Sequence, residues 1–322
     1  IAALYAKCLS AAASPLPQLP IQYADYAIWQ RSVFSAETLE RELAYWKQRL
    51  HGAPDVLDLP TDRPRRAVCA YAGGRQAVTL PSGLMRALTE LSQSEGVSLF
   101  MTLLAAYQAL LAQFTEQKDI LVAAPIAGRN RRETESLIGV FTNVLVLRAD
   151  CSGDQSFRGL LGRARDTTLS AYAHQDLPFH LLVEELQPEW IAGLMPLAQV
   201  SFNFQNVAVP APRLPGLLLR PILVEHIDAS DESVEPEHVR AFRSSNHAVK
   251  FDLALFTWPH GDELRGHLEY NRDLFEAKTI EELVAHYKAL LEAIATKPDR
   301  RLADLPPYPS AGHKRGQRST SA

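Results

Sequence analysis

The stretch that most limits the fold runs from Asp119 to Arg148, and it reads as strand, charged loop, strand. Asp119 to Ile126 is a short apolar run, the pattern of a strand covered on both faces. Gly128 breaks it, and Arg129 to Glu135 is dense in charge, as a solvated loop should be. Gly139 then leads into a second strand, Val140 to Arg148, whose period of two puts Phe141, Asn143, Leu145 and Leu147 on one face. Asn143 is thereby an amide among apolar neighbours, where an unpaired polar group costs roughly 1–3 kcal/mol. Two readings follow: its side chain bonds the adjacent loop, or it faces a wet cavity.

A chain of 322 residues, 47% hydrophobic and 22% charged, has the composition of a globular protein and length for two cores. The formal net charge of −4 gives no reason to expect nucleic acid or an anionic membrane as partner. Cys8, Cys69 and Cys151 lie far apart and are odd in number, so neither a disulfide framework nor a zinc site is expected, and a cytoplasmic location is. No apolar run approaches the roughly 18–20 residues that span a bilayer.

In chain order, the apolar set Ile1, Leu4, Tyr5, Cys8, Leu9 and Ala12 fits one helical face, closed by Pro15, Pro17 and Pro20. In the next helix Tyr23, Tyr26 and Trp29 recur every third residue around Asp25, which is expected to bond a neighbouring backbone group or an arginine. A further helix is predicted over 36–50 with Leu39, Leu43, Trp46 and Leu50 on one side. Arg63, Arg65 and Arg66 sit among prolines, either on a solvated surface or as a phosphate clamp. Arg75 to Leu80 is a strand, Pro81 opens a helix, and Ser98 caps a helix apolar almost all round from Leu99 to Phe114.

Ser156 enters a helix carrying Phe157, Leu160, Leu161, Ala164 and Leu169 inward, which ends at the polar corner His174 to His180. Two histidines six apart do not share a helix face, and no metal site is assigned to them. Val200 to Asn206 is a strand with Val200, Phe202 and Phe204 on one side and Ser201, Asn203 and Gln205 on the other. The segment 225–246 is acidic and irregular. A hairpin is predicted from Lys250 to Trp258 and Glu263 to Tyr270 around Pro259-His260-Gly261-Asp262. The last helix places Ile280, Leu283, Val284, Tyr287, Leu290, Leu291 and Ile294 on one stripe, and 306–322 reads as a disordered tail.

No G-x-S-x-G elbow, Walker A loop, G-x-G-x-x-G, H-E-x-x-H or C-x-x-C occurs. The residues alone give a mixed α/β scaffold with polar groups on strand faces and no complete catalytic set.

Tyr23-Ala24-Asp25-Tyr26-Ala27-Ile28-Trp29 resembles the Y-x-D-Y-A-x-W motif of condensation domains from nonribosomal peptide synthetases. Four more blocks resemble that family in the same order: Gly128-Arg129-Asn130-Arg131 with Glu133 and Glu135, Ile138-Gly139-Val140-Phe141-Thr142-Asn143, His174-Gln175-Asp176-Leu177-Pro178-Phe179, and Lys250-Phe251-Asp252-Leu253. The resemblance implies a two-lobed α/β fold like chloramphenicol acetyltransferase, with 1–80 as the end of the N-terminal lobe and 81–305 as a complete C-terminal lobe. It implies a tunnel between lobes, and amide formation between acyl and aminoacyl thioesters. The implied partners are upstream and downstream peptidyl carrier domains, which bring their phosphopantetheine arms, and neighbouring synthetase domains. No directly bound cofactor and no metal are implied. Carried onto this chain, the family-motif and tunnel candidates are Tyr23, Asp25, Tyr26, Trp29, Arg129, Gly139, Phe141, Asn143, His174, Gln175, Asp176, Pro178 and Phe179, with Asn203 and Gln205 from the strand pattern.

The family's H-H-x-x-x-D-G motif has no counterpart, because none of the ten histidines is followed by another. No catalytic residue is therefore assigned, and the expectation is a fragment of an amide-forming enzyme, inactive alone. The alternative is a non-catalytic element that binds carrier domains. His180 stands where the family usually has Glu, and Trp190 near where it usually has Arg.

Overall fold

The computed structural model describes residues 2–10, 16–66, 72–188, 191, 193–206 and 248–309. These fall into two compact units. The first takes its described residues from Ile1–Ala36 and Arg129–Phe141 with Asn206, and the second from Glu37–Gly128, Thr142–Gln205 and Asn246–Ala322. Cys69, Trp190 and the acidic segment 225–246 lie outside the described residues, as does the tail beyond 309.

The second unit is built on a six-stranded mixed sheet: β1 (Gly73–Leu80), β2 (Asp119–Ile126), β3 (Asn143–Asp150), β4 (Val200–Phe204), β5 (Leu253–His260) and β6 (Glu263–Asn271), in the order β1-β6-β5-β4-β2-β3. β1, β6 and β5 pair antiparallel, as do β2 and β3, while β4 joins the two groups through parallel pairing on both sides. Because β1 is an edge strand here, the sheet begins ahead of residue 80, where the sequence reading ended the first lobe.

Helices α4 (Ser82–Ser94), α5 (Leu99–Thr115) and α8 (Ala277–Thr296) pack on one face of this sheet. α5 is buried on every side from Met101 to Ala112, as its composition requires, and the Ser98 side chain accepts from the Met101 N–H at 3.3 Å to cap it. Its one buried amide, Gln108, donates Nε2–H to the Leu147 carbonyl at 3.2 Å. In α8 the predicted stripe from Ile280 to Ile294 is buried, and the Tyr287 hydroxyl donates to the Leu103 carbonyl at 3.0 Å. α6 (Phe157–Ala173) buries Phe157, Leu160, Leu161 and Ala164 against β3 and α5, with Ser156 capping it. Leu169 does not join them: it is 53% exposed, because Thr168 and Ala171 take the inner face of that turn.

Strand limits differ from expectation in two places. β5 starts at Leu253 and keeps Pro259 and His260, so the hairpin turn is only Gly261-Asp262, with Gly261 at φ +62°. Pro259 is tolerated because β4 ends opposite Thr257 and leaves no ladder bond for a proline to lose. β3 starts at Asn143, so Val140 and Phe141 are not in the strand. Side chains hold the carbonyls that a ladder would need: Arg129 Nη2 donates to Gly139 O at 3.3 Å and the Tyr23 hydroxyl to Val140 O at 2.7 Å.

The first unit carries α1 (Ala2–Ser10), α2 (Tyr23–Val33) and a 3-10 turn (Arg132–Thr134); α3 (Ala36–Leu50) belongs to the second unit apart from its first residue. Leu4 and Leu9 of α1 are exposed, and α2 has no fully buried residue. α7 (Phe179–Leu186) completes the second unit.

Candidate functional site

The sequence candidates resolve into three groups. In the first unit, Tyr23, Tyr26 and Trp29 meet Arg129, Gly139 and Phe141. Asp25 caps α2 by accepting from the Gln22 N–H at 2.8 Å, which satisfies an otherwise orphaned donor. The three aromatic residues then project from one side of the helix onto the 129–141 segment. Tyr26 packs on Phe141 with ring centroids 4.6 Å apart, and Tyr23 meets the same ring edge-on at 5.2 Å. Arg129 lies 4.2 Å over Phe141 and Arg131 4.1 Å over Trp29, a ladder of cations on aromatic faces. Arg129 also donates to the carbonyl of Thr134. Gly139 is needed where it is, since a Cβ there would sit 2.1 Å from the Tyr23 ring.

The second group surrounds Asn143 at the start of β3. Its Nδ2 donates to Gln175 O at 2.9 Å and Leu177 O at 2.7 Å, and its Oδ1 accepts from the Phe179 N–H at 2.9 Å. The amide thus pins the 174–179 corner and delivers Pro178 as the N-cap of α7. Of the two sequence readings, the bond to an adjacent loop is the one realised. His174 stacks on Tyr45 at 3.8 Å and its Nδ1 pairs with Glu42 Oε2 at 2.7 Å, while Trp46 Nε1 donates to the His174 carbonyl at 3.2 Å. Gln175 turns back to the Tyr172 carbonyl at 2.8 Å, and Asp176 is exposed.

The third group is Asn203 and Gln205, half-buried and exposed respectively. Ser201, expected on the same polar side, is buried. These residues do not lie on the same sheet face as the tunnel candidate Asn143. Ser201 pairs with Ala123, whereas Asn143 pairs with Ile126, an odd number of residues further along β2. Side chains alternate along a strand, so Asn143 faces one side of the sheet and Ser201 and Asn203 the other.

Sequence reasoning missed a buried ion pair. Arg65 pairs with Asp252, in the Lys250-Phe251-Asp252-Leu253 block, and donates to the Gly193 carbonyl at 3.0 Å. Burial pushes the Asp252 carboxyl above the usual range, with Arg65 pulling it back. Arg63 is spent on the Arg272 and Phe275 carbonyls at 2.9 and 3.2 Å. These two guanidinium groups tie down backbone and a carboxylate, which removes the phosphate-clamp reading for them. Among the described residues no His, Cys, Asp and Glu side chains gather in the threes a metal ion would need, and Cys8 and Cys151 are free thiols. No single helix among the described residues is long and apolar enough to cross a membrane.

The condensation-domain family matches residues 1–314. A linear gramicidin synthase polypeptide of Brevibacillus parabrevis is 46% identical over 301 residues, 93% of this chain but 4% of that polypeptide. The malpinin synthetase of Mortierella alpina is 40% identical over 300 residues, again 93% of this chain and 4% of its own length. The chain therefore spans only a small part of these curated relatives. Among solved structures, the X-domain from teicoplanin biosynthesis superposes with a TM-score of 0.81 at 27% identity, over 95% of this chain and 66% of that one. The condensation domain of the monacolin K polyketide synthase MokA shares the fold, with a TM-score of 0.71 at 18% identity over 92% of this chain and 66% of its own. The six-stranded mixed sheet and its helices thus have the chloramphenicol acetyltransferase-like fold of these domains. By the family match along nearly its whole length, this chain belongs to the condensation domains, with nonribosomal peptide synthetases as its homologues.

Proposed function

We propose that this chain forms part of the site at which a condensation domain joins two carrier-bound thioesters. The amine of an aminoacyl thioester attacks an acyl thioester, an amide forms and the donor thiol leaves. The family match over residues 1–314 carries this reading. On it, the substrates arrive on phosphopantetheine arms of upstream and downstream carrier domains, neighbouring synthetase domains are partners, and the chain works in the cytoplasm. The strands and helices of 81–305, with β1 added, are read as one lobe.

The blocks shared with the family act here as scaffold. Asn143 fixes one corner and the Tyr23–Phe141 contact fixes one loop, and neither leaves a proton-transfer group in the open. The attacking amine must be neutral and aligned with the thioester carbonyl, and alignment supplies much of the rate. These 322 residues contain no adjacent histidine pair to perform that step, so the polypeptide alone is proposed to form no amide. The alternative of a purely carrier-binding element has no observation in its favour.

The test mixes loaded donor and acceptor carrier proteins with the 322-residue chain and detects dipeptidyl thioester by mass spectrometry. No product is expected from the chain alone. Product is expected when a polypeptide bearing the H-H-x-x-x-D-G region of a related condensation domain is supplied in trans. Carrier binding with no product in either case would favour the alternative.

A further inference from the structure

Among the described residues, the sheet face opposite α5 and α8 carries two carboxamides, those of Asn203 and Gln205, near aromatic rings. Register aligns Asn203 of β4, Phe256 of β5 and His267 of β6 as neighbours across it. Gln205 and Trp258 stand two residues further along the same chain segments. Phe256 stacks on His267 with centroids 4.8 Å apart and planes 15° from parallel, and Trp258 flanks the imidazole at 5.9 Å. Gly266 permits the close pairing behind them, since a Cβ there would lie 2.1 Å from the Phe256 carbonyl oxygen. Phe256 and Trp258 are both half-buried.

Neither the Asn203 nor the Gln205 carboxamide has a hydrogen-bond partner among the described residues. Trp258 Nε1 is shut off from solvent and has no acceptor among them. A carboxamide offers one donor and one acceptor side, which matches another amide. Residues two apart on a strand are spaced by about 6.8 Å, so an extended chain of amides running along β4 would meet Asn203 and Gln205 in turn. A side chain branching from that ligand would fall one strand over, about 4.8 Å away, on the aromatic rings of β5.

We propose that this patch receives the aminoacyl or peptidyl end of a thioester substrate, Asn203 and Gln205 bonding its amides while Phe256 and Trp258 seat a large apolar or aromatic side chain. The assignment rests on the thioester reading above and adds a substrate class to it: aminoacyl groups such as phenylalanyl over glycyl. Desolvating a flat ring against two aromatic neighbours supplies the preference, and the two carboxamides fix orientation.

Three soluble probes test it against the full chain by titration calorimetry: phenylalanyl-aminopantetheine, glycyl-aminopantetheine (amides in place of the labile thioester) and bare pantetheine. The phenylalanyl probe is expected to bind about tenfold more tightly than the glycyl one. Trp258→Ala should bring that ratio close to one with the circular dichroism spectrum unchanged, and Asn203→Leu should weaken both probes alike. Should Trp258→Ala fail to fold, Gln205→Leu at its exposed position carries the test, with weaker binding of both aminoacyl probes expected and unchanged affinity counting against the patch. Equal affinity of the two aminoacyl probes, with bare pantetheine still bound, overturns the side-chain seat and leaves the thioester reading intact. Binding of none of the three overturns both.

Discussion

The Tyr23 hydroxyl donates to the carbonyl of Val140 at 2.7 Å across 117 residues of sequence. Arg129 donates to the neighbouring carbonyl of Gly139, so two successive carbonyls of this segment are bonded by side chains. The same segment leaves Ile138 92% exposed while Phe141 is buried under Tyr26 and Arg129. Gly139→Ala should dislodge the Tyr23 ring and speed amide exchange from 132 to 141, at a cost of about 1–3 kcal/mol. Tyr23→Phe should cost less, roughly 0.5–1.5 kcal/mol, because only the hydrogen bond goes. Hydrogen–deuterium exchange of both variants checks this, and unchanged protection in Gly139→Ala would show that the ring contact does not hold the segment.

Asn143 satisfies two carbonyls and one N–H with a single side chain. Asn143→Ala should therefore cost more than an ordinary polar truncation, about 2–4 kcal/mol, since several backbone groups lose their partner together. Asn143→Asp keeps the shape but has no N–H to offer Gln175 and Leu177, so it should be no better. Urea denaturation of the three proteins at one pH measures it; an aspartate variant as stable as the parent would show that the two carbonyls are content with water.

What could be read from the sequence was local. The all-round apolar run of α5, the stripe of α8 and the caps Ser98 and Ser156 depend on neighbours within a few turns, and each appears where the pattern put it. What could not be read depends on partners far along the chain. The Val140 carbonyl is held by Tyr23, 117 residues away, and Arg65 is claimed by Asp252, 187 residues away. Asn143 and Asn203 looked like one polar lining because each sits on a strand, but the parallel pairing of β2 with β4 sends them to opposite faces. No single-strand pattern encodes that register. Leu169 satisfied the helical period and is still exposed, because period fixes an angle around a helix and not how wide its buried stripe is.

His286 gives a pH prediction. It is buried on α8, its Nε2 lies 2.7 Å from Gln113 Oε1, and its ring meets Tyr308 edge-on at 5.2 Å. Burial lowers its pKa below the ordinary 6.5. In the window between that lowered value and 6.5 the unfolded chain binds the proton that the folded chain refuses, so stability is full above the window and falls as pH drops through it. The urea midpoint should decline as pH falls below the ordinary 6.5, and His286→Gln should remove part of that decline. Parallel pH profiles for parent and variant would mean that His286 carries none of it.

Arg65 and Asp252 supply a test of opposite sign. The carboxyl is 5% exposed, and burial raises its pKa while Arg65 works against the rise. Arg65→Met leaves that carboxylate buried without its partner, a change that costs about 3–5 kcal/mol near neutral pH. For a group whose folded pKa is raised, the stabilising contribution is complete below the unfolded value and is lost as pH climbs through the folded one. Removing Arg65 raises the folded value further, so the deficit of Arg65→Met against the parent should shrink as pH falls and Asp252 takes up its proton. Adding Asp252→Asn to Arg65→Met should recover part of the loss at neutral pH by removing the charge altogether. Urea midpoints for the parent, the single variant and the double variant at three pH values measure both effects. A deficit that stays constant with pH would assign the role of Arg65 to its bond with the Gly193 carbonyl, which carries no titrating charge.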